Sequence, residues 1–140
     1  MKYTKATNHA LHIMAFMVMQ ESTMNISLVP LAEKFNISST YLSKILTQLV
    51  KANLIHSSPG VNGGYSLRKD RAEITYLDVT KAIEGTGHLF TCEMNDQECH
   101  LQQVMRDAEK QMENYLQSKT LLETMQETNK ITKPHQDCKN

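Results

Sequence analysis

SLVPLAEKFNISSTYLSKILTQLVKANLIHSSPGVNGGYSL, residues Ser27 to Leu67, changes its hydrophobic period once, and that change decides the fold. Ser27 is placed to cap a short helix, Leu28 to Phe35, in which Pro30 falls in the first turn, where a missing N–H breaks no helical hydrogen bond. Asn36-Ile37 turns the chain. Ser38 or Ser39 then caps a helix carrying Leu42, Ile45, Leu46, Leu49 and Val50 on one stripe. After Asn53 the period shortens to that of strands: Leu54 to Ser57, a tip of Pro59-Gly60 and Asn62-Gly63-Gly64, and a return through Tyr65-Ser66-Leu67. Gly and Asn suit a reversal that needs positive φ, so this segment reads as a β-hairpin.

Outward from this stretch, Ala6, Ala10, Leu11, Met14, Met17 and Val18 recur at three and four and mark a first helix within Thr4–Glu21. On the other side, Tyr76 to Glu84 is a helix with Thr75 and Asp78 as a capping box and Gly85 at its exit. Thr86 to Glu98 lacks periodicity and reads as a loop. Leu101, Val104, Met105, Ala108, Met112, Tyr115 and Leu116 then define a long helix whose stripe exceeds what so small a domain can cover, so a partner helix is expected. Thr120-Leu-Leu-Glu123 offers a capping box for a last short helix, and the polar run from Thr128 to Asn140 reads as a disordered tail.

At 140 residues the chain has room for about one domain, and 40% apolar content supports a core without covalent staples. Three cysteines, all in the second half, do not resemble a secreted disulfide scaffold, and a reducing cytoplasm fits better. There is neither a membrane-length apolar run nor a hydrophobic leader in the opening residues. The net charge of zero conceals opposite halves. Residues 1–71 carry eight Lys or Arg against three Asp or Glu, and the remainder carries seven against twelve. A polyanion would therefore meet the first half.

Helix, short helix, turn, longer helix and glycine-tipped hairpin is the order of a winged helix-turn-helix. The fold class expected is mainly α with a small β-hairpin wing, joined to a long dimerisation helix. The expected divisions are residues 1–84 for DNA binding, 85–99 for a sensor loop, 100–127 for dimerisation helices and 128–140 for the tail. Placed in a major groove, the third helix turns Leu42, Ile45, Leu46 and Leu49 inward and leaves Ser39, Thr40, Tyr41, Ser43, Lys44 and Lys51 for DNA. Hydroxyls read bases or phosphates, and lysines hold phosphates. Ser58, Asn62 and the Gly63 backbone are candidate phosphate contacts in the wing. No phosphate-cradling loop, HExxH helix or nucleophile elbow points to an enzyme. The alternative class is a winged helix that binds protein and not DNA.

The sequence resembles the Rrf-type winged-helix transcription regulators typified by IscR, NsrR and CymR. The resemblance rests on the opening Met1-Lys-Tyr-Thr4, Ile37-Ser-Ser-Thr-Tyr-Leu-Ser-Lys44, Asn62-Gly-Gly-Tyr-Ser-Leu67 and Ile74-Thr-Tyr-Leu-Asp-Val79. It continues through Cys99-His-Leu and Tyr115 to Thr120-Leu-Leu-Glu123. It implies a homodimer joined by the long helix, binding an imperfectly palindromic double-stranded operator and usually repressing transcription. It also implies contacts at Ser38, Thr40, Tyr41 and Lys44, with Lys2 and Thr4 of the opening segment as further candidates. Pro59 stands where relatives often place a minor-groove Arg.

In cluster-binding relatives three loop cysteines hold an iron–sulfur centre, whereas here Cys92 matches the first and Cys99 the last. Some relatives complete a [2Fe-2S] cluster with an acidic residue and a His from the first helix of the other subunit. His12 matches that His, but Asn8 stands at the acidic position, which leaves His9, a loop group or solvent for the fourth ligand. Three other readings stand beside the cluster. Cys92 and Cys99 could work as a redox pair, although Glu93, Asp96 and Glu98 nearby disfavour the thiolate. They could hold zinc with His88 or His100. Or they are ordinary loop cysteines, and His12 merely packs at a helix interface. Cys138 lies in the tail and is read as incidental.

Overall fold

The computed structural model describes residues 2–20, 25–94 and 99–131. Three helices come first: α1 (Lys5–Met19), α2 (Leu28–Phe35) and α3 (Ser39–Lys51). They are followed by strands β1 (Ile55–Ser58) and β2 (Gly64–Leu67), and then by α4 (Tyr76–Glu84), α5 (His100–Ser118) and α6 (Leu121–Ile131). The caps largely follow local chemistry. Ser38 Oγ accepts from Tyr41 N–H at the start of α3, and Thr75 and Asp78 form the reciprocal box on α4. Asp78 Oδ2 also holds Lys69 Nζ at 2.7 Å, which ties the end of the wing to α4. Ser27 precedes α2, but its side chain makes no capping hydrogen bond; its backbone carbonyl accepts from Leu31 N–H instead.

Two asparagines in the left-handed region shape the helix-turn-helix: Asn36 at φ 52° ends α2 and Asn53 at φ 62° follows α3. Asn tolerates this region because its short polar side chain bonds locally. After each, the next amide returns into the finished helix, Ile37 N–H to Ala32 O and Leu54 N–H to Leu49 O. These returns satisfy carbonyls that a helix end leaves open.

The core gathers Ile13, Met14 and Val18 of α1, Leu31 of α2, Leu42, Ile45, Leu46 and Leu49 of α3, Ile55 of β1, and Ile74 and Val79 around α4. Each buried large aliphatic side chain contributes about 1.5–3 kcal/mol, enough to fix the register of α3 against α1. The strands pair antiparallel, Ile55 with Leu67 through Ser58 with Gly64. Ile26 adds a single rung by exchanging hydrogen bonds with Tyr65 at 2.8 and 2.9 Å. In the tip, Gly60 (φ 96°) and Gly64 (φ 143°) take the positive φ expected of its Gly and Asn residues, whereas Asn62 and Gly63 do not.

The segment expected to hold dimerisation helices is divided. α5 leaves the domain along α4, and then the chain turns at Lys119-Thr120 and comes back. Tyr76 N–H donates to Lys119 O and Leu121 N–H to Ile74 O, both at 3.1 Å. Leu121 joins the core, so α6 belongs to the winged-helix body. The expected disordered tail from Thr128 also needs correction at its start, because α6 runs on to Ile131. Thr128 Oγ1 donates to the Thr124 carbonyl at 2.9 Å, one turn back on the same helix, whose start is anchored in the core by Leu121. Residues 132–140, with Cys138, lie outside the described residues. Among the described residues no helix is long and apolar enough to cross a membrane.

Candidate nucleic-acid interface and sensor loop

The amino end of α3 is the candidate interface. Ser38, Thr40 and Lys44 are exposed, and Ser39, Tyr41 and Ser43 are half-buried, while Leu42, Ile45, Leu46 and Leu49 are buried. The start of this helix thus presents two exposed hydroxyls, three half-buried ones and a cation, with Thr40 and Lys44 opposite the apolar stripe. Tyr41 is not a bare side chain on that face. Its hydroxyl lies 3.0 Å from His9 Nδ1 of α1, and the two rings meet edge to face.

In the wing, Asn62 is exposed and its carbonyl accepts from Asn25 Nδ2 at 3.0 Å. Gly63, the other expected phosphate contact of the wing, has its N–H bonded to Gly60 O at 3.0 Å within the turn. Gly63 is there for space, since a Cβ would lie 2.2 Å from Ser58 O. Thr4, a further expected contact, is also engaged within the chain. It is the N-cap of α1, and its N–H and hydroxyl both donate to Glu84 Oε2, at 2.8 and 2.9 Å. No donor of Thr4 is left for a phosphate. Thr7 donates to the same oxygen, and these hydrogen bonds, Thr7's foremost, hold the Glu84 carboxyl below its ordinary range.

Glu84 is a residue that the sequence reading missed. It fastens the opening arm to the end of α4 and leaves Lys2 exposed beside a cleft of about 170 Å³ between the arm, α4 and α5. Tyr3 in this cleft donates to Met112 Sδ at 3.8 Å. Burial, followed by the charges of Glu84 and Glu113, pushes its phenol up.

The loop before α5 is organised by one glutamine. Gln102 Oε1 accepts from Cys92 N–H at 2.7 Å, and Gln102 N–H donates to Cys99 Sγ at 3.3 Å, which makes Cys99 the N-cap of α5. Both half-buried cysteines are thereby tied to the first turn of α5, Cys92 by its backbone and Cys99 by its sulfur, and no disulfide joins them. Farther along, Glu109 accepts from Leu89 N–H and lies 3.5 Å from His88 Nδ1, and Arg106 Nε donates to Phe90 O. His88, one of the expected zinc ligands, therefore faces Glu109.

His12 Nδ1 lies 2.9 Å from the Asn8 carbonyl, which can only accept, so Nδ1 is the donor, and in the neutral ring this leaves the lone pair on Nε2. Metal-ligating histidines are oriented in this way. Among the described residues no three His, Cys, Asp or Glu side chains of one chain converge on a metal position. Among the described residues, one copy of the chain provides two thiols in the loop and a separate imidazole on α1, fewer than the four ligands an iron–sulfur cluster takes.

Residues 3–127 match the family model Rrf2, described as iron-dependent transcriptional regulator. The chain is similar to the helix-turn-helix regulator YffB of Lactococcus lactis, 34% identical over 90 residues, which are 64% of this chain and 58% of that protein. The match thus spans less than two thirds of that relative's length. Among solved structures it is similar to CymR of B. subtilis, described as the global cysteine regulator. The TM-score is 0.71 at 27% identity, covering 91% of this chain and 98% of that one. It is also similar to T. potens IscR, TM-score 0.75 at 20% identity, covering 97% and 94%, which at that identity shows the fold alone.

Proposed function

The chain belongs to the Rrf2 family of transcriptional regulators, which are not enzymes, and from that premise we propose that it acts as a homodimeric, sequence-specific repressor. The observation that carries this reading is the outward face of α3. Ser38, Ser39, Thr40, Tyr41 and Lys44 cluster in the first two turns beside the wing, on a helix whose other face is locked into the core. Lysine and hydroxyl contacts there fix the helix on phosphates, and the hydroxyls nearest the groove floor read base edges. Lys2 and Asn62 extend the contact on either side. The operator is an imperfect palindrome, whose two half-sites mirror the two-fold relation between the two copies.

A second copy is supported by α5. Leu101, Val104, Met105 and Tyr115 are 76, 66, 43 and 62% exposed and lie with Ala108 along one side of the helix. The flank with Gln102, Arg106 and Glu109 holds the loop of the same chain, and Met112, at the edge of the stripe, meets Tyr3 of the opening arm. Two such stripes pack as a coiled-coil-like pair.

The sensory element is the loop with Cys92 and Cys99. A [2Fe-2S] cluster would take these two thiolates and Nε2 of His12 of the partner subunit. Its fourth ligand lies outside this set, because Asn8 replaces a carboxylate. Anaerobic purification with an absorption spectrum and an iron assay tests it: visible bands that disappear in Cys92→Ala support a cluster, and colourless, iron-free protein removes it.

The DNA-binding reading is tested by gel shift on the protein's own promoter region across a salt series. Expected is an affinity that falls steeply with salt, with a log–log slope of about −0.9 for each phosphate neutralised. No shift in mild buffer, or binding indifferent to salt, overturns it in favour of a protein partner.

A further inference from the structure

The pairing of His9 with Tyr41 joins α1 to the proposed DNA-reading helix through a single hydrogen bond. Nδ1 and the phenol oxygen are 3.0 Å apart, and the rings are T-shaped with centroids 5.4 Å apart and planes at 83°. Tyr41 lies in the first turn of α3, one turn before Lys44, and both partners are half-buried. A phenol has one proton to give and lone pairs to receive, and a neutral imidazole has one donor nitrogen and one acceptor. The direction of this bond therefore decides what Tyr41 offers on its outward side.

If Nδ1 is the acceptor, the phenol proton points inward and the oxygen can only accept. A DNA phosphate also only accepts, so the two would repel. If Nδ1 carries the proton, the phenol accepts from it and its own proton can turn outward to a phosphate oxygen. His12, one turn further along α1, has its Nδ1 proton fixed by the Asn8 carbonyl. His9 has a phenol as its partner, and a phenol permits either direction.

We propose that His9 is a positioning residue for DNA binding, which donates from Nδ1 to the Tyr41 oxygen and so turns the Tyr41 hydroxyl into a phosphate donor. The inference rests on the DNA-binding reading above and adds to it a residue that touches no DNA.

The test sets two replacements of His9 against each other. His9→Asn keeps an N–H donor near the place of Nδ1 but loses the ring; His9→Phe keeps the ring contact but has no donor. If His9 only fills space, Phe is the better substitute. If it orients the phenol, Asn is. Affinities are measured on a duplex from the protein's own promoter region, and on copies of it with one phosphate at a time made a neutral methylphosphonate. Thermal midpoints are recorded for each variant.

For the parent, neutralising one particular linkage is expected to cost about tenfold, the scale of a hydrogen bond to a charged group. His9→Asn keeps most of the affinity and the same linkage sensitivity. His9→Phe and Tyr41→Phe each lose about tenfold and no longer respond to that linkage, and the double variant loses no more than either alone. His9→Phe binding as well as or better than His9→Asn overturns the proposal. So does a parent with no linkage whose effect Tyr41→Phe removes, a comparison that stands even if His9→Phe does not fold. If the parent fails to bind the duplex at all, the DNA-binding reading itself falls.

Discussion

Glu84 shows how one carboxylate can hold the start of a chain. Three donors from Thr4 and Thr7 converge on a single oxygen, and none of them is visible as a pattern, because the partners are about eighty positions apart and Thr is unremarkable at a helix start. The shift has a definite sign. A carboxyl held below its ordinary range binds its proton less readily folded than unfolded, so it adds stability above the unfolded value of about 4.3, and that contribution fades as pH falls through the folded value. Glu84→Gln keeps an acceptor in place and removes only the charge. Since the residue is exposed, screening limits the expected loss to about 0.5–1 kcal/mol near neutral pH. Urea titrations at pH 7 and pH 3 check it: the difference between parent and variant should shrink towards zero at pH 3. A difference that is unchanged at both would mean that Glu84 acts through its shape alone.

The helices and hairpin were legible because their signals are local: the Thr75–Asp78 box, the stripe of α3, the reversal at Asn36. What was not legible depends on pairs remote in sequence. Ile26 becomes a rung on β2 only because the wing folds back over the entry to α2, and nothing around Ile26 announces that. The same contact explains Gly64. It combines φ 143° with an Ile26 carbonyl that would lie 2.5 Å from an added Cβ, so Gly64→Ala meets both a strained backbone and a collision. The expected cost is about 1–3 kcal/mol in denaturant unfolding. DNA affinity should fall by more than global stability predicts, since the displaced element is the wing. Global stability falling with affinity intact would remove the wing from the interface. In the interface itself, the turns of α3 could be assigned from periodicity, whereas the commitments of Thr4 and Gly63 could not, because a donor's availability depends on which acceptor the fold brings to it.

At the scale of the molecule, the charge asymmetry and the bare stripe of α5 describe one design. The basic half carries the helix proposed to read DNA, and the acidic half, which DNA would repel, carries the exposed apolar stripe proposed to meet a second copy. Val104 separates folding from assembly. At 66% exposure in a single chain, it can be exchanged for a charge with little effect on the fold of one subunit, typically within about 0.5 kcal/mol. In a dimer the same carboxylate would be forced among apolar side chains without a partner, which costs several kcal/mol. Val104→Glu is therefore expected to sediment as a monomer while keeping the helical content of the parent. Its DNA behaviour then follows from tethering. Two linked reading heads bind a palindrome with an effective local concentration in the range of millimolar, and losing the link should lower affinity for the full operator by about a hundredfold or more. On a duplex with a single half-site, where only one head is engaged, parent and variant should bind alike. A variant that remains dimeric would place the subunit contact elsewhere than the α5 stripe. A monomeric variant that still binds the full operator like the parent would show that each copy reads DNA alone, and the palindrome would lose its physical reason.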